Sequence, residues 1–226
     1  MSTTTIEIEK PDFEFKHLKT KNINGKRHYV TTEGQEYISI TSLLGYFSAK
    51  SIAEWRRKVG EEEANRISNE SSSNGTAMHN SLEVYLQGGD YQKTIKNEWQ
   101  QNQFDCVKTH LDHYFDEMWW QEIPLYSNRL GVAGRVDLIG IYKGVPTVID
   151  FKTSKKFKKK EWVQGYLEQA TFYAMSFYEM TKFPIKDIVI LVSVDGGAEL
   201  QVFQEKVGNY MNSLHSKVKE YKALNY

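Results

Sequence analysis

Two acidic residues and a lysine lie close together in the most strand-like part of the sequence. Asp137 lies in the β-branched run 132–142, and Asp150 and Lys152 end a second such run, 145–152. The short polar link at 143–144 predicts a hairpin, so the two runs are expected to form adjacent antiparallel strands. Side chains alternate along a strand, which puts Asp150 and Lys152 on one face and lets the partner strand bring Asp137 beside them. Two carboxylates and an ammonium on one patch indicate a hydrolytic site that uses a divalent metal ion.

The simpler interpretation of Asp150 and Lys152 is a solvated strand end, because acidic-x-Lys tripeptides are common in a charged protein. The apolar run 147–149 is typical of a central strand, however, and central strands rarely carry charges without a use. A divalent cation would also relieve the repulsion between Asp137 and Asp150. Aspartate oxygens suit Mg²⁺ or Mn²⁺. Lys152 would then orient or activate water, or stabilise the charge that develops on phosphorus.

Length, charge and cysteine content narrow the classes of protein to which this chain can belong. The chain has 226 residues, of which 40% are hydrophobic and 26% charged, which is typical of one globular domain. Its formal net charge is zero, so only a local cluster of charge would support a nucleic-acid partner. Cys106 is the single cysteine, and one cysteine cannot hold an iron–sulfur cluster within one chain. A glycine-rich phosphate loop is lacking, so we expect no nucleotide cofactor.

The sequence shows no feature of secretion or membrane insertion. Its first residues lack the basic and apolar regions of a signal peptide, and no apolar run is long enough to span a bilayer. We therefore expect a cytoplasmic protein, in a bacterium or in a phage-infected host cell.

The order of the predicted elements divides the chain into three parts. Residues 1–40 are expected to form a lead-in ending at Pro11 and a small hairpin. Residues 41–120 have a helical pattern: a helix over 51–67 after caps at Thr41 and Ser42, a break at 69–75, a helix capped by Thr76, and a long helix over 98–119. In residues 121–226 the pattern is three strands, a helix over 160–178, two strands from Asp187 to about 203, and a last helix. This order predicts a mixed sheet with helices packed on it.

Four motifs together resemble the PD-(D/E)XK nuclease superfamily. Gly134-x-x-Asp137 and Asp150-x-Lys152 resemble its acidic and lysine motifs; Gly75-Thr-Ala-Met-His79 and Gln169-x-x-x-Tyr173 are similar to helical motifs of its RecB-like exonucleases. The four occur in the family's order. The resemblance implies an α/β (α+β) fold, with a restriction-endonuclease-like mixed central sheet flanked by helices and an N-terminal helical elaboration, in one nuclease domain over 1–226. The single cysteine favours the phage and mitochondrial genome maintenance branch, which lacks an iron–sulfur cluster.

The resemblance also assigns roles to particular residues. It implies that His79, Asp137, Asp150 and the backbone carbonyl of Phe151 bind the metal. Glu83 lies at i+4 from His79 and so shares its helix face; it would hold the other imidazole nitrogen or add a ligand, although a plain surface charge is the simpler interpretation. An imidazole ligand would favour Mn²⁺ over Mg²⁺.

Gln169 and Tyr173 lie on an apolar helical stripe with Trp162 and Tyr166. Gln169 on such a stripe needs a hydrogen-bond partner, either a backbone group near the active strand or a DNA phosphate. For Trp162 the favoured interpretation is packing in the core, with stacking on a base as the alternative.

A lysine run follows the catalytic lysine. A run of this kind is usually a solvated loop, but its position at the mouth of the site makes it a phosphate-contacting segment if the substrate is a nucleic acid. The run consists of Lys155, Lys156, Lys158, Lys159 and Lys160.

The sequence thus predicts a metal-dependent DNA exonuclease that acts on single-stranded ends in replication, recombination or repair, with proteins of those processes as partners. Two alternatives stay open at this point. One is a structure-specific endonuclease on the same fold, and the other is an inactive nucleic-acid-binding recombination subunit.

Overall fold

The computed structural model describes residues 8–225, and these form one mixed sheet with helices on both faces. The first seven residues of the expected lead-in lie outside this range. The strands are β1 (Lys19–Ile23), β2 (Lys26–Val30), β3 (Glu36–Ser39), β4 (Phe115–Ser127), β5 (Val132–Tyr142), β6 (Val145–Ser154), β7 (Asp187–Val194) and β8 (Glu199–Lys206). The helices are α1 (Ile40–Val59), α2 (Glu61–Leu86), α3 (Glu98–Tyr114), α4 (Gln164–Thr181) and α5 (Met211–Asn225). This architecture confirms the predicted mixed sheet flanked by helices.

The sheet separates two apolar cores. On one face, α1, α4 and α5 bury residues such as Leu43, Phe172 and Leu214 against the sheet. On the other, α2 and α3 bury Leu82 and Phe104. β6 and β7 are parallel neighbours in the middle of the sheet, and every residue of β7 is buried. Charged side chains on β6 must therefore find partners inside the protein.

The sheet has a gap along one edge of β5, where this strand pairs with a neighbour only at its two ends. Along one edge it pairs with β4 from Val132 to Tyr142. Along the other edge it pairs with β6 only from Leu138 to Tyr142, and with β3 at Val132 and Ala133. Residues 134–137 lie between these two partners, so the sheet is split beside Asp137. The connection to β6 is the predicted hairpin, with Lys143 and Gly144 both at positive φ, as a two-residue turn of this type requires.

The helical part differs from the prediction. The expected break at 69–75 is wrong, because α2 runs through it, and the chain breaks instead at Gly60, whose φ of 87° is disfavoured for other residues. Serine costs a helix only a few tenths of a kcal/mol, and Glu70, at the start of the segment, pairs with Arg66 one turn earlier and with Lys155. The helix cap is Ser39, whose hydroxyl accepts from the Ser42 amide, and neither Thr41, Ser42 nor Thr76 is a cap.

Two other boundaries shift for a tertiary reason. The helix expected over 98–119 ends at Tyr114, because Phe115 begins β4 and Trp119 is buried. The helix expected from 160 begins at Gln164, after a 3-10 turn at Lys160–Trp162. Trp162 on that turn is 60% exposed, so the predicted packing of its side chain in the core is wrong.

Among residues 8–225, no helix combines the length and apolarity needed to cross a membrane.

Candidate metal-dependent active site

Asp137 lies where β6 separates from β5. Its Oδ2 accepts a hydrogen bond of 2.8 Å from the backbone N–H of Phe151. This bond ties the carboxylate to the neighbouring strand and leaves Oδ1 directed toward His79, 3.6 Å from its Nδ1. The side chain of Asp137 is 11% exposed, and it lines a cavity, so a small part of it is accessible to a ligand.

Asp150 is fully buried and held by partners from β6 and α4. Its Oδ2 contacts the ammonium of Lys152, and its Oδ1 accepts a hydrogen bond of 3.0 Å from Nε2 of Gln169. Gln169 Nε2 also donates to the hydroxyl of Tyr173, at 3.1 Å. The partners of Gln169 are therefore the side chains of Asp150 and Tyr173, rather than the expected backbone group. Both oxygens of Asp150 are engaged by the chain's own groups, so a direct bond from Asp150 to a metal stays a prediction.

The charge state of this pair follows from its burial. Burial raises the pKa of Asp150 to about 7; the Lys152 ammonium opposes this and Asp137 adds to it. Burial by itself lowers the pKa of Lys152, but Asp150 and Asp137 outweigh burial and raise it overall. Lys152 therefore keeps its proton at neutral pH.

His79 comes to the same point from α2, on the other face of the sheet. Its Nε2–H donates to the carbonyl of Phe151 at 2.9 Å, which identifies the tautomer, because a carbonyl can only accept. The lone pair on Nδ1 then faces Asp137 and Glu122, whose Oε1 is 3.9 Å away. Burial lowers the pKa of His79, but Asp137 and Glu122 outweigh it and raise it overall.

The Phe151 carbonyl accepts two hydrogen bonds. One comes from His79, and the other from Lys152 Nζ at 3.3 Å. Both lone pairs of this oxygen are engaged, so its expected role as a metal ligand stays a prediction.

Glu122 is a candidate metal ligand that the sequence did not reveal. It lies on β4, where Gln121 pairs with Leu138 and Ile123 with Val136, which puts Glu122 across from Asp137. Its backbone has φ of 50°, and its carboxylate is 16% exposed. The signal in the sequence is an acidic residue in the strand before Asp137, but only the register of β4 on β5 makes the two neighbours.

Three donor residues fit a divalent cation. One ligand atom each of His79, Glu122 and Asp137 lies within 4.8 Å of the others. Ligand atoms bound to one such ion at ~2.0–2.3 Å lie at most about 4.6 Å apart, so the distances of 3.6 and 3.9 Å from His79 Nδ1 are compatible with a shared ion. A mixed nitrogen and oxygen donor set suits Mn²⁺ and related ions.

One glycine permits the close packing that builds the site. A Cβ at Gly134 would lie 2.7 Å from Cε1 of Tyr173 and 2.9 Å from Cγ2 of Ile40. At Gly75 a Cβ would lie 3.9 Å from Oγ1 of Thr153, which is ordinary contact, so the packing of α2 on β6 does not require a glycine there. Gly134 thus has a positional rather than a chemical role.

A cavity of about 470 Å³ lies between α2 and β6 at the donor cluster. Glu83 lines it together with His79, but no hydrogen bond joins these two side chains among residues 8–225. A second cavity, of about 210 Å³, lies over Asp137 and shares His79, Glu122, Arg135 and Lys152 with the first. The donor cluster therefore lies in a continuous groove. A separate cavity of about 490 Å³ near Met175 and Met211 is lined by apolar side chains and two lysines, so it offers no acidic ligand.

The lysines of the run are not part of the lining of these two cavities, and several of them are neutralised. Lys155 pairs with Glu70 of α2 at 2.9 Å, and Lys160 pairs with Glu205. The backbone of Lys158 exchanges hydrogen bonds with Gln201, and Lys159 lies over the ring of Trp162 at 5.6 Å. Lys156 is exposed. The Glu70 pair places the start of the run beside the α2 side of the cavity.

The comparisons with known proteins give one family. The comparison with curated proteins finds no match. A solved structure described as the crystal structure of SSO0001 is similar to this chain at 15% sequence identity, with a TM-score of 0.48. The alignment covers 83% of this chain and 75% of the chain in that structure. The model of the PD-(D/E)XK nuclease superfamily matches residues 47–220, a range that contains His79, Asp137, Asp150 and Lys152. The chain belongs to the PD-(D/E)XK nuclease superfamily.

Proposed function

We propose that this protein is a metal-dependent DNA exonuclease of the RecB-like group that removes nucleotides from single-stranded ends during replication, recombination or repair. One observation carries the proposal: the His79, Glu122 and Asp137 donors adjoin the buried Asp150–Lys152 pair inside one groove. Membership of the superfamily supports hydrolysis of phosphodiester bonds with a divalent metal.

The donor residues and the lysine have distinct roles in this proposal. His79, Glu122 and Asp137 hold the ion, which when bound lowers the pKa of a water and stabilises charge on the phosphate. Lys152 donates hydrogen bonds to the phosphate oxygens as negative charge develops on them. The raised pKa of Lys152 supports this role over that of a base, because a protonated amine cannot take a proton from water. Gln169 orients Asp150, which in turn orients the ammonium.

The position of α2 supports a single strand as the substrate. The His79–Phe151 hydrogen bond holds α2 against β6. The cavity between them, of about 470 Å³, is therefore walled on one side by a helix. We therefore assign a single strand with unpaired bases to this groove as the substrate.

Digestion of end-labelled single-stranded DNA with Mn²⁺, Mg²⁺ or EDTA tests the activity. We expect cleavage with Mn²⁺, weaker cleavage with Mg²⁺ because of the histidine ligand, and none with EDTA. Asp150→Asn and Lys152→Met are each expected to reduce cleavage about 100-fold or more. Glu168→Gln is the matched control, because Glu168 is an equally buried carboxylate paired with Lys217. Cleavage at the wild-type rate in Asp150→Asn would overturn the assignment of the site.

Two substrates separate the proposal from its alternatives. An exonuclease leaves a circular single strand intact, whereas a structure-specific endonuclease on the same fold cuts it. A wild-type protein that binds DNA but cleaves neither linear nor circular strands with any tested divalent ion would instead be an inactive recombination subunit.

A further inference from the structure

The groove continues past the donor cluster, away from the lysine run. A third cavity, of about 420 Å³, is lined by residues of β1, β2, β4 and β5 and of the segment before β1. It shares Arg27, Tyr29, Glu122 and Arg135 with the cavity over Asp137. The three cavities therefore form one path from the α2 side of the site, through the donor cluster, to the N-terminal strands.

The far part of this path is basic. His17, Arg27 and Arg135 line it, and Glu122 is its one acidic residue. Arg135 is 60% exposed, and its Nε binds Glu122 at 2.8 Å, which leaves the terminal nitrogens of the guanidinium directed elsewhere. Tyr29 contributes a buried aromatic ring to the lining.

Arg27 stands out among these groups. It is exposed, it lines two of the three cavities, and its guanidinium forms no ion pair with a carboxylate in the described part of the chain. Its backbone is held in β2, and its amide donates to Ser42 Oγ at the start of α1. A guanidinium fixed at its base and without an internal partner is suited to an oxygen anion outside the protein, and phosphate matches its planar donor geometry.

We propose that Arg27 and Arg135 form a second phosphate-binding arm, which holds the backbone of single-stranded DNA on the opposite side of the cleaved bond from the lysine run. This inference rests on the proposed function, because it takes the donor cluster as the point of cleavage. The N-terminal strands thus extend the substrate-binding surface of the nuclease core.

The salt dependence of DNA binding tests this arm without requiring cleavage. Binding of an end-labelled oligothymidine is measured by fluorescence anisotropy in EDTA at several salt concentrations, for wild type, Arg27→Ala, Arg27→Lys and Arg129→Ala. Arg129 is the matched control, because it is an exposed arginine on the turn between β4 and β5 and is not part of the lining of the three cavities. Thermal unfolding of each variant verifies that it is folded.

Arg27→Ala is expected to weaken binding about fivefold and to reduce the slope of log K against log salt by about 0.7, the value for one phosphate contact of a single strand. Arg27→Lys should keep most of the slope, since it keeps the charge. Equal affinities and slopes for Arg27→Ala and Arg129→Ala would overturn the second arm, and the proposed activity would stand if wild type still cleaves. If Arg27→Ala reduces the slope but the wild-type protein does not cleave single strands, the second arm is supported and the proposed exonuclease activity is overturned.

Discussion

Two buried groups of the same composition lie on the two sides of α4. The site group consists of Asp150, Lys152 and Gln169, and the α4–α5 group consists of Glu168, Lys217 and Gln164. In each, a carboxylate with no exposed area contacts a lysine and accepts a hydrogen bond of 3.0 Å from a glutamine amide. The glutamines of both groups come from α4.

The groups differ in what surrounds them. The α4–α5 group joins two helices, with Lys217 Nζ 2.6 Å from Glu168, and no metal-donor cluster adjoins it in the described chain. The site group lies beside Asp137 and His79, and burial together with Asp137 raises the pKa of Asp150 to about 7 although Lys152 opposes the shift. A buried carboxylate–lysine pair is therefore not by itself evidence of catalysis. The second carboxylate and the open groove distinguish the site.

Asp137→Asn is expected to have the largest effect. It removes a charged donor from the cluster, so Mn²⁺ binding should be lost and cleavage should fall more than about 1000-fold, since even outer partners of metal ligands are worth ~10–100-fold. Calorimetric titration with Mn²⁺ and the cleavage rate measure this. Retained Mn²⁺ affinity would show that the ion binds elsewhere, and Glu168→Gln should change neither quantity.

Lysine replacement compares the two groups directly. Lys152→Met should reduce cleavage about 100-fold or more, as for other groups that stabilise developing charge, while metal affinity changes little. Lys217→Met should leave the rate within about twofold but cost about 2 kcal/mol of unfolding free energy, less than the ~3–5 typical of breaking fully buried pairs because Lys217 is 28% exposed. Urea unfolding and cleavage assays on both variants measure these effects. A large loss of cleavage in Lys217→Met, with an unchanged rate in Lys152→Met, would contradict the comparison.

The stability of the metal-free protein should depend on pH through Asp150. Its pKa is raised from 3.8 to about 7, so the unfolded chain loses this proton first as pH rises. The free energy of unfolding of wild type therefore falls progressively between pH ~4 and pH ~7, because the native state still holds a proton that the unfolded chain has lost. Asp150→Asn lacks this titration, so it should gain roughly 4 kcal/mol relative to wild type over that window. Urea unfolding in EDTA at several pH values measures the difference. A difference independent of pH would contradict the assignment.

Glutamine replacement should have the smallest effect. Gln169→Ala removes the donor that orients Asp150, so cleavage should fall about tenfold with Mn²⁺ affinity nearly unchanged, as for an outer partner at a metal site. Gln164→Ala removes the corresponding donor from Glu168 and should leave cleavage unaltered. Equal rates for the two variants would show that Asp150 keeps its position without Gln169.

The sheet core was more predictable than the helical part. The hairpin of β5 and β6 and the bounds of β7 follow from β-branched runs and a turn with positive φ, which are local signals. The serine-rich segment of α2 and the start of β4 at Phe115 were predicted wrongly, because local preferences are weak at both places. Pairing along β5 sets the start of β4, and the His79–Phe151 hydrogen bond anchors the part of α2 that follows the segment.

The sequence by itself determined the residue types of the site and their order: His79, then Asp137, Asp150, Lys152 and Gln169. It also placed Asp150 and Lys152 on one strand, because alternation is a property of the backbone. Only the tertiary structure decided which carboxylate is buried with the lysine and which faces the histidine. It also decided that Glu122 joins the cluster, because the register of β4 on β5 and the separation of β6 from β5 are set by packing between distant segments rather than by local sequence.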